Sequence, residues 1–176
     1  MSKKNIFLIG FMGCGKSTVA EELHRSYGMQ WIEMDQEIVR QEGMSIADIF
    51  QEKGEPYFRS LETGLLDRLQ GVQNAVISCG GGVAMRQENV DRMRSSGKIV
   101  LLTAEPEIIL QRVGNSHARP LLEGRKTVDA IQELMEERRP AYEAAADRVI
   151  RTDNKSIPEI CRELMEENGR DPDVAS

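Results

Sequence analysis

A chain of 176 residues with 40% hydrophobic and 30% charged side chains can bury one α/β core and leaves little room for a second. Its net charge of −6 opposes general attraction to nucleic-acid phosphates or anionic membranes, and aromatics at 5% are too sparse for a base-stacking surface. An anionic ligand must then be held by a local cluster of cations rather than by the overall field.

Apolar runs alternate with stretches of helical period, which predicts a five-stranded parallel sheet with helices on both faces and a single domain over residues 1–176. Asn5–Gly10 reads as a fully buried first strand, followed by a helix over Ser17–Tyr27 and a short strand over Gln30–Glu33. Asp35–Gln41 reads as a helix, Ser45 as the cap of Ile46–Gln51, and Glu55–Leu69 as a longer helix beyond Gly54. The third strand, Ala75–Cys79, ends in the triple glycine Gly80–Gly82. A helix over Gln87–Arg94 leads to a fourth strand, Ile99–Thr103, and Pro106 opens a helix reaching Val113. The polar, basic segment 114–126 breaks the pattern. Helix resumes over Val128–Ala146, Arg148–Arg151 is the fifth strand, and Ser156 caps a last helix with Ile157, Ile160 and Leu164 on one face. The acidic tail from Glu166, about 167–176 above all, is expected to fray.

The apolar stretch 6–12 is too brief to span a bilayer, and Cys14, Cys79 and Cys161 form no CxxC pair. These features predict a cytoplasmic protein with reduced thiols. His24 and His117 are isolated and read as surface residues, since metal binding needs a cluster.

Gly10-Phe11-Met12-Gly13-Cys14-Gly15-Lys16-Ser17 matches GxxxxGK[ST] between a predicted strand and a predicted helix, the context that makes it a phosphate-binding loop. Glycines let backbone N–H groups turn inward around phosphates, Lys16 can reach the β- and γ-phosphates, and the Ser17 hydroxyl can ligate Mg²⁺. The helix N-terminus adds to the attraction. Gly13, Cys14, Gly15, Lys16, Ser17 and Thr18 are therefore the expected ATP contacts on the loop, with Cys14 a small packing side chain.

Four features beyond the loop fall at strand ends or in connections. Asp35 follows the second strand, and Phe58-Arg59 opens the middle helix with Glu62 three residues on. Gly80-Gly81-Gly82 follows the third strand, and Arg119-Pro120-Leu121-Leu122 lies in the irregular segment. Taken alone, Asp35 reads as a helix cap and Arg59–Glu62 as a surface i,i+3 pair. Three consecutive glycines are costly in entropy and instead suggest close backbone approach to a ligand.

In order and spacing, the loop, Asp35, the Arg59–Glu62 pair, the triple glycine, the Arg119 segment and Arg138-x-Pro140-x-Tyr142 together resemble the shikimate kinase family from about Asn5 to Leu164. The resemblance implies transfer of the γ-phosphoryl of MgATP to the 3-hydroxyl of shikimate. It implies that Lys16, Asp35 and Arg119 are catalytic, that Arg59 and Arg138 grip the shikimate carboxylate with Glu62 orienting Arg59, and that Gly80, Gly81 and Gly82 close over the ring. It further implies that Arg119 descends with a lid over 114–126, that Arg112 and the 152–155 loop, including Lys155, flank the adenine, and that Ser78 stands near the Mg²⁺ shell. A monomer acting on two small molecules is expected. One position departs from the family pattern: many members carry Asp-x-Asp where this chain has Glu33-Met34-Asp35, which leaves the part played by Glu33 open. Two other readings compete, another small-molecule kinase of this architecture such as a gluconate kinase, and a regulator that binds ATP without transferring phosphate.

Overall fold

The computed structural model describes residues 5–113 and 128–168. Five strands, β1 (Asn5–Ile9), β2 (Gln30–Glu33), β3 (Ala75–Ser78), β4 (Gly97–Thr103) and β5 (Arg148–Arg151), form one parallel sheet in the order β2-β3-β1-β4-β5. The helices, in chain order, are α1 (Lys16–Tyr27), α2 (Met34–Glu42), α3 (Ile46–Lys53), α4 (Glu55–Arg68), α5 (Gln87–Ser96), α6 (Pro106–Val113), α7 (Val128–Ala145) and α8 (Ile157–Asn168).

Side chains alternate across the pleat of β1, and both of its faces are covered. Ile6 and Leu8 join Val19, Leu23, Ile160 and Leu164 in a core against α1 and α8. Phe7 and Ile9 join Ile38, Phe58, Leu66 and Met93 in a core against α2, α4 and α5. Burial on two faces explains why the central strands read as continuous apolar runs. A smaller cluster of Phe11, Met12, Ile109 and Ile131 ties the loop after β1 to α6 and α7.

The caps predicted at Ser45 and Ser156 are present, whereas Asp35 lies inside the first turn of α2, one residue past its start, and does not cap it. Ser45 Oγ accepts from the Asp48 N–H at 3.1 Å. Ser156 and Glu159 form a reciprocal capping box, with both bonds at 3.3 Å. Several element ends differ from the sequence reading by one or two residues, as at α3 and α5, which each run two residues further. β4 starts at Gly97 rather than Ile99, because an extended glycine there lets the chain pass against the Asn5 backbone, where a β-carbon would meet the Asn5 carbonyl carbon at 2.8 Å. A single 3₁₀ turn over Val83–Met85 follows the triple glycine, too short to leave a periodic signature. α8 continues to Asn168, beyond the predicted start of fraying at Glu166. The predicted lid 114–126 with Arg119, His117 within it, and the tail from residue 169 lie outside the described residues.

β1 leads through α1 to β2 at one edge of the sheet, whereas its neighbour β4 leads to β5 at the other, so the two connections diverge at their carboxyl ends. A crevice opens where the strand order reverses, and there parallel sheets bind ligands.

Candidate active site

The loop between β1 and α1 builds one wall of that crevice. Gly13 and Gly15 have φ of 78° and 103°, in the region that side chains disfavour, and Gly15 is the residue from which α1 departs. Lys16 Nζ donates to the carbonyls of Gly10 at 2.7 Å and Phe11 at 3.3 Å. Two side chains from distant elements brace the loop: Thr152 Oγ1 donates to the Cys14 carbonyl at 2.7 Å, and Arg112 Nη1 donates to the Gly13 carbonyl at 2.8 Å. Cys14 itself turns its thiol into the core beside α1 and α8 and is wholly buried, in keeping with a packing role.

A cleft of about 800 Å³ runs from this loop to the ends of β2 and β3. Lys16, Ser17, Thr18, Arg112 and Thr152 line one side; Glu33, Asp35, Ser78, Gly80 and Gly81 line the other. Asp35 is held at the first turn of α2, where a carboxylate suits the positive end of the helix. Glu33 ends β2 opposite Ser78, and its Oε1 accepts from the Trp31 indole N–H at 2.9 Å. No group of three or more histidine, cysteine, aspartate or glutamate residues among those described could hold a metal by itself.

Two arginines gather around the triple glycine at the edge of the cleft. Arg59 Nη1 donates to Glu62 Oε1 at 2.7 Å, and Arg59 also reaches Glu55 at 3.2 Å. The sequence alone favoured a surface pair, yet Glu62 is 0% exposed and its Oε2 has no hydrogen-bond partner. Burial pushes the Glu62 carboxyl up to about 7; the Arg59 charge resists the rise, and Asp35 adds to it. Arg138 reaches the Tyr142 hydroxyl at 3.5 Å, and that hydroxyl donates to the Gly81 carbonyl at 2.6 Å. The Arg138 guanidinium also lies 5.8 Å from the centre of the Phe11 ring, next to the phosphate loop.

The triple glycine is where these groups meet. A β-carbon at Gly80 would stand 3.0 Å from both Asp35 Oδ1 and Glu62 Oε2. One at Gly81 would press on Arg138 Nη1 at 2.7 Å, and one at Gly82 would lie inside the Arg59 guanidinium, 2.5 Å from its carbon. Only glycine leaves room for both arginines.

Most of the predicted site residues thus gather in the cleft or at the triple glycine on its edge, where Arg59, Gly82 and Arg138 meet without being among the residues that line the cleft. Lys155 turns away to pair with Glu163 at 2.8 Å and does not line the cleft. Arg119 lies outside the described residues. Sequence reasoning did not single out the bracing role of Thr152 or the Trp31–Glu33 contact. Thr152 bonds across 138 positions, which no local pattern reveals, whereas Trp31 and Glu33 share one face of β2 at a spacing of two.

A family model described as shikimate kinase matches residues 12–168. The chain is 42% identical over 162 residues to the shikimate kinase of Persephonella marina, covering 92% of this chain and 97% of that one. Among solved structures it is similar to the Acinetobacter baumannii shikimate kinase in complex with shikimate, with a TM-score of 0.87, 31% identity, and coverage of 93% and 92% of the two chains. The Aquifex aeolicus shikimate kinase superposes with a TM-score of 0.78 at 40% identity, over 92% and 94%.

Proposed function

This chain belongs to the shikimate kinase family, and from that premise we propose that its cleft transfers the γ-phosphoryl group of ATP to the 3-hydroxyl of shikimate. The observation that carries the reading is the meeting of Arg59, Arg138, Asp35 and Glu62 around Gly80–Gly82, across one cleft from the phosphate loop.

The physical demands of the reaction match these residues. Phosphoryl transfer needs alignment and charge neutralisation more than covalent help. Lys16 exchanges its loop carbonyls for β- and γ-phosphate oxygens, and the N-terminus of α1 adds positive potential. Gly13, Cys14, Gly15, Ser17 and Thr18 supply the rest of the phosphate cradle, and Arg112, seated on the loop, faces the nucleotide. Arg119 adds a further cation at the transferred group. Arg59 and Arg138 each present a planar fork suited to the shikimate carboxylate, and Glu62 holds the first of them in place. With that carboxylate anchored, the ring lies over Gly80–Gly82 and its hydroxyl points to Asp35, which accepts the hydrogen bond and takes the proton as the oxygen attacks phosphorus.

The corner formed by Ser17, Ser78, Glu33 and Asp35 offers only oxygen donors, the set a hard cation prefers. Mg²⁺ fits it, since that ion takes one or two protein oxygens and completes its shell with water and substrate phosphates. Ser17 would be its direct ligand. When bound there, the ion neutralises charge on the β- and γ-phosphates.

On this reading the whole chain works as one kinase domain, a cytoplasmic monomer with no nucleic-acid or membrane partner. No helix among the described residues is long and apolar enough to cross a membrane. Product analysis tests the reaction: incubation with MgATP and shikimate should yield ADP and a singly phosphorylated ring, with phosphorus on the 3-oxygen. ADP release without a phosphorylated ring would defeat it.

A further inference from the structure

We propose that Trp31 is a positioning residue for the reaction, its indole N–H holding the Glu33 carboxylate at the cation-binding corner of the cleft. The inference rests on the use of MgATP by this site.

The geometry begins with β2. Trp31 and Glu33 are two residues apart on a strand and point to the same face, the one covered by α1. The Trp31 ring packs half-buried on the α1–α8 core, with the His24 ring 6.2 Å away. An indole N–H can only donate, and a buried one needs an acceptor. It finds Glu33 Oε1 at 2.9 Å. The carboxylate therefore has one oxygen fastened to a rigid ring anchored in the core, while Glu33 itself lines the cleft with Ser17, Asp35 and Ser78.

The chemistry of that corner explains why a brace is useful. A glutamate carries one more methylene than the aspartate common in the family, and so has more rotamer freedom to lose when its carboxylate is fixed. An unbraced glutamate would sample positions in the open cleft. A hydrogen bond to one oxygen removes most of that freedom and leaves the second oxygen available for a hydrated cation. Partners of this outer-shell kind orient ligands and tune affinity without touching the ion.

The chain has one tryptophan, so indole emission reports on the surroundings of Trp31, and loss of the response in Glu33→Ala assigns it to this contact. In the parent protein with saturating ADP, added Mg²⁺ should change Trp31 emission saturably, and Glu33→Ala should abolish the metal-dependent part. Emission indifferent to Mg²⁺ would overturn the proposal without any change to Trp31. In turnover, Trp31→Phe should raise the Mg²⁺ concentration for half-maximal rate by about tenfold, the low end for loss of an outer-shell hydrogen bond. In a Glu33→Asp background, where there is less freedom to restrain, the same Trp31→Phe step should cost less. An unchanged Mg²⁺ requirement in Trp31→Phe would mean that Glu33 merely satisfies the indole. A lowered requirement would mean that Trp31 holds Glu33 away from the cation. Either result contradicts the proposal. Should the parent bind MgADP with the emission change yet fail to phosphorylate shikimate, the assigned reaction falls and this inference stands.

Discussion

Arg59 and Glu62, one helical turn apart on α4, form an ion pair of 2.7 Å in which the carboxylate is wholly buried and keeps one oxygen unpaired. Truncating one partner of such a pair strands the other charge, so its geometry is strongly specified. In this cleft the pair aims a guanidinium at Gly82.

The Glu62 carboxyl gives the site two opposed pH trends. Burial raises it from the ordinary 4.5 to about 7, so between those values the folded protein holds a proton that the unfolded chain has lost. Its contribution to stability is therefore full below about 4.5 and fades as pH rises through about 7. Shikimate use should follow the reverse course, because a protonated Glu62 grips Arg59 less firmly. In Glu62→Gln, denaturation midpoints should vary less between pH 5 and 8 than in the parent, roughly the span of that titration. The shikimate KM of this variant should lose its rise on acidification. A parent-like pH dependence in Glu62→Gln would assign both trends to another group.

Lys16→Met should lower turnover by at least about 100-fold, comparable to removing one charge-stabilising group, while leaving the thermal midpoint close to the parent. Steady-state kinetics decide this. Near-normal turnover would mean that the loop holds something other than the reacting nucleotide.

Gly82→Ala places a methyl group inside the Arg59 guanidinium, but the obstructed atoms are the far end of a flexible side chain. The fold should survive with a lowered midpoint, because Arg59 loosens its pair with the buried Glu62 as it swings aside. The shikimate KM should rise by up to about 100-fold, the scale of an ångström-sized misplacement, with the ATP KM unchanged. An effect on ATP alone would contradict the assignment of this edge of the cleft to the acceptor.

Arg138 and Arg139 are neighbours about 100° apart around α7, and the structure separates them. Arg138 faces Tyr142 and Gly81, whereas Arg139 is exposed and meets Glu136 at 3.4 Å. Arg138→Ala should lower the shikimate specificity constant by about 10- to 100-fold, as expected for charged hydrogen bonds. Arg139→Ala should stay within about a few-fold, the value of an exposed pair. The reverse order would contradict the assignment of the carboxylate grip to Arg138.

What the sequence revealed and concealed follows from the range of each interaction. The phosphate loop was legible because its whole function resides in eight consecutive residues, Gly10–Ser17, between a strand and a helix. Arg138 was separable from Arg139 because Tyr142, four residues on, shares its helix face. Glu62 read as a surface residue because an i,i+3 spacing says nothing of what covers it; α4 lays it beneath Gly80. Thr152 bracing Cys14, and Lys155 turning to Glu163, depend on how β5 and α8 meet the loop, which only the folded chain sets.

Asp35→Asn keeps the side chain's size but removes its charge and most of its basicity. Turnover should collapse while calorimetric ATP affinity is retained. Lost ATP affinity with intact shikimate affinity would place Asp35 on the nucleotide side.

The most direct test of the account is the specificity constant of the parent enzyme in a coupled ADP-release assay, with MgATP saturating and either shikimate or gluconate as acceptor. Membership of the shikimate kinase family predicts efficient, saturable turnover of shikimate and none above background with gluconate, a carboxylate that the arginines alone would not turn away. Turnover of gluconate without turnover of shikimate, or ATP binding with turnover of neither, would contradict it.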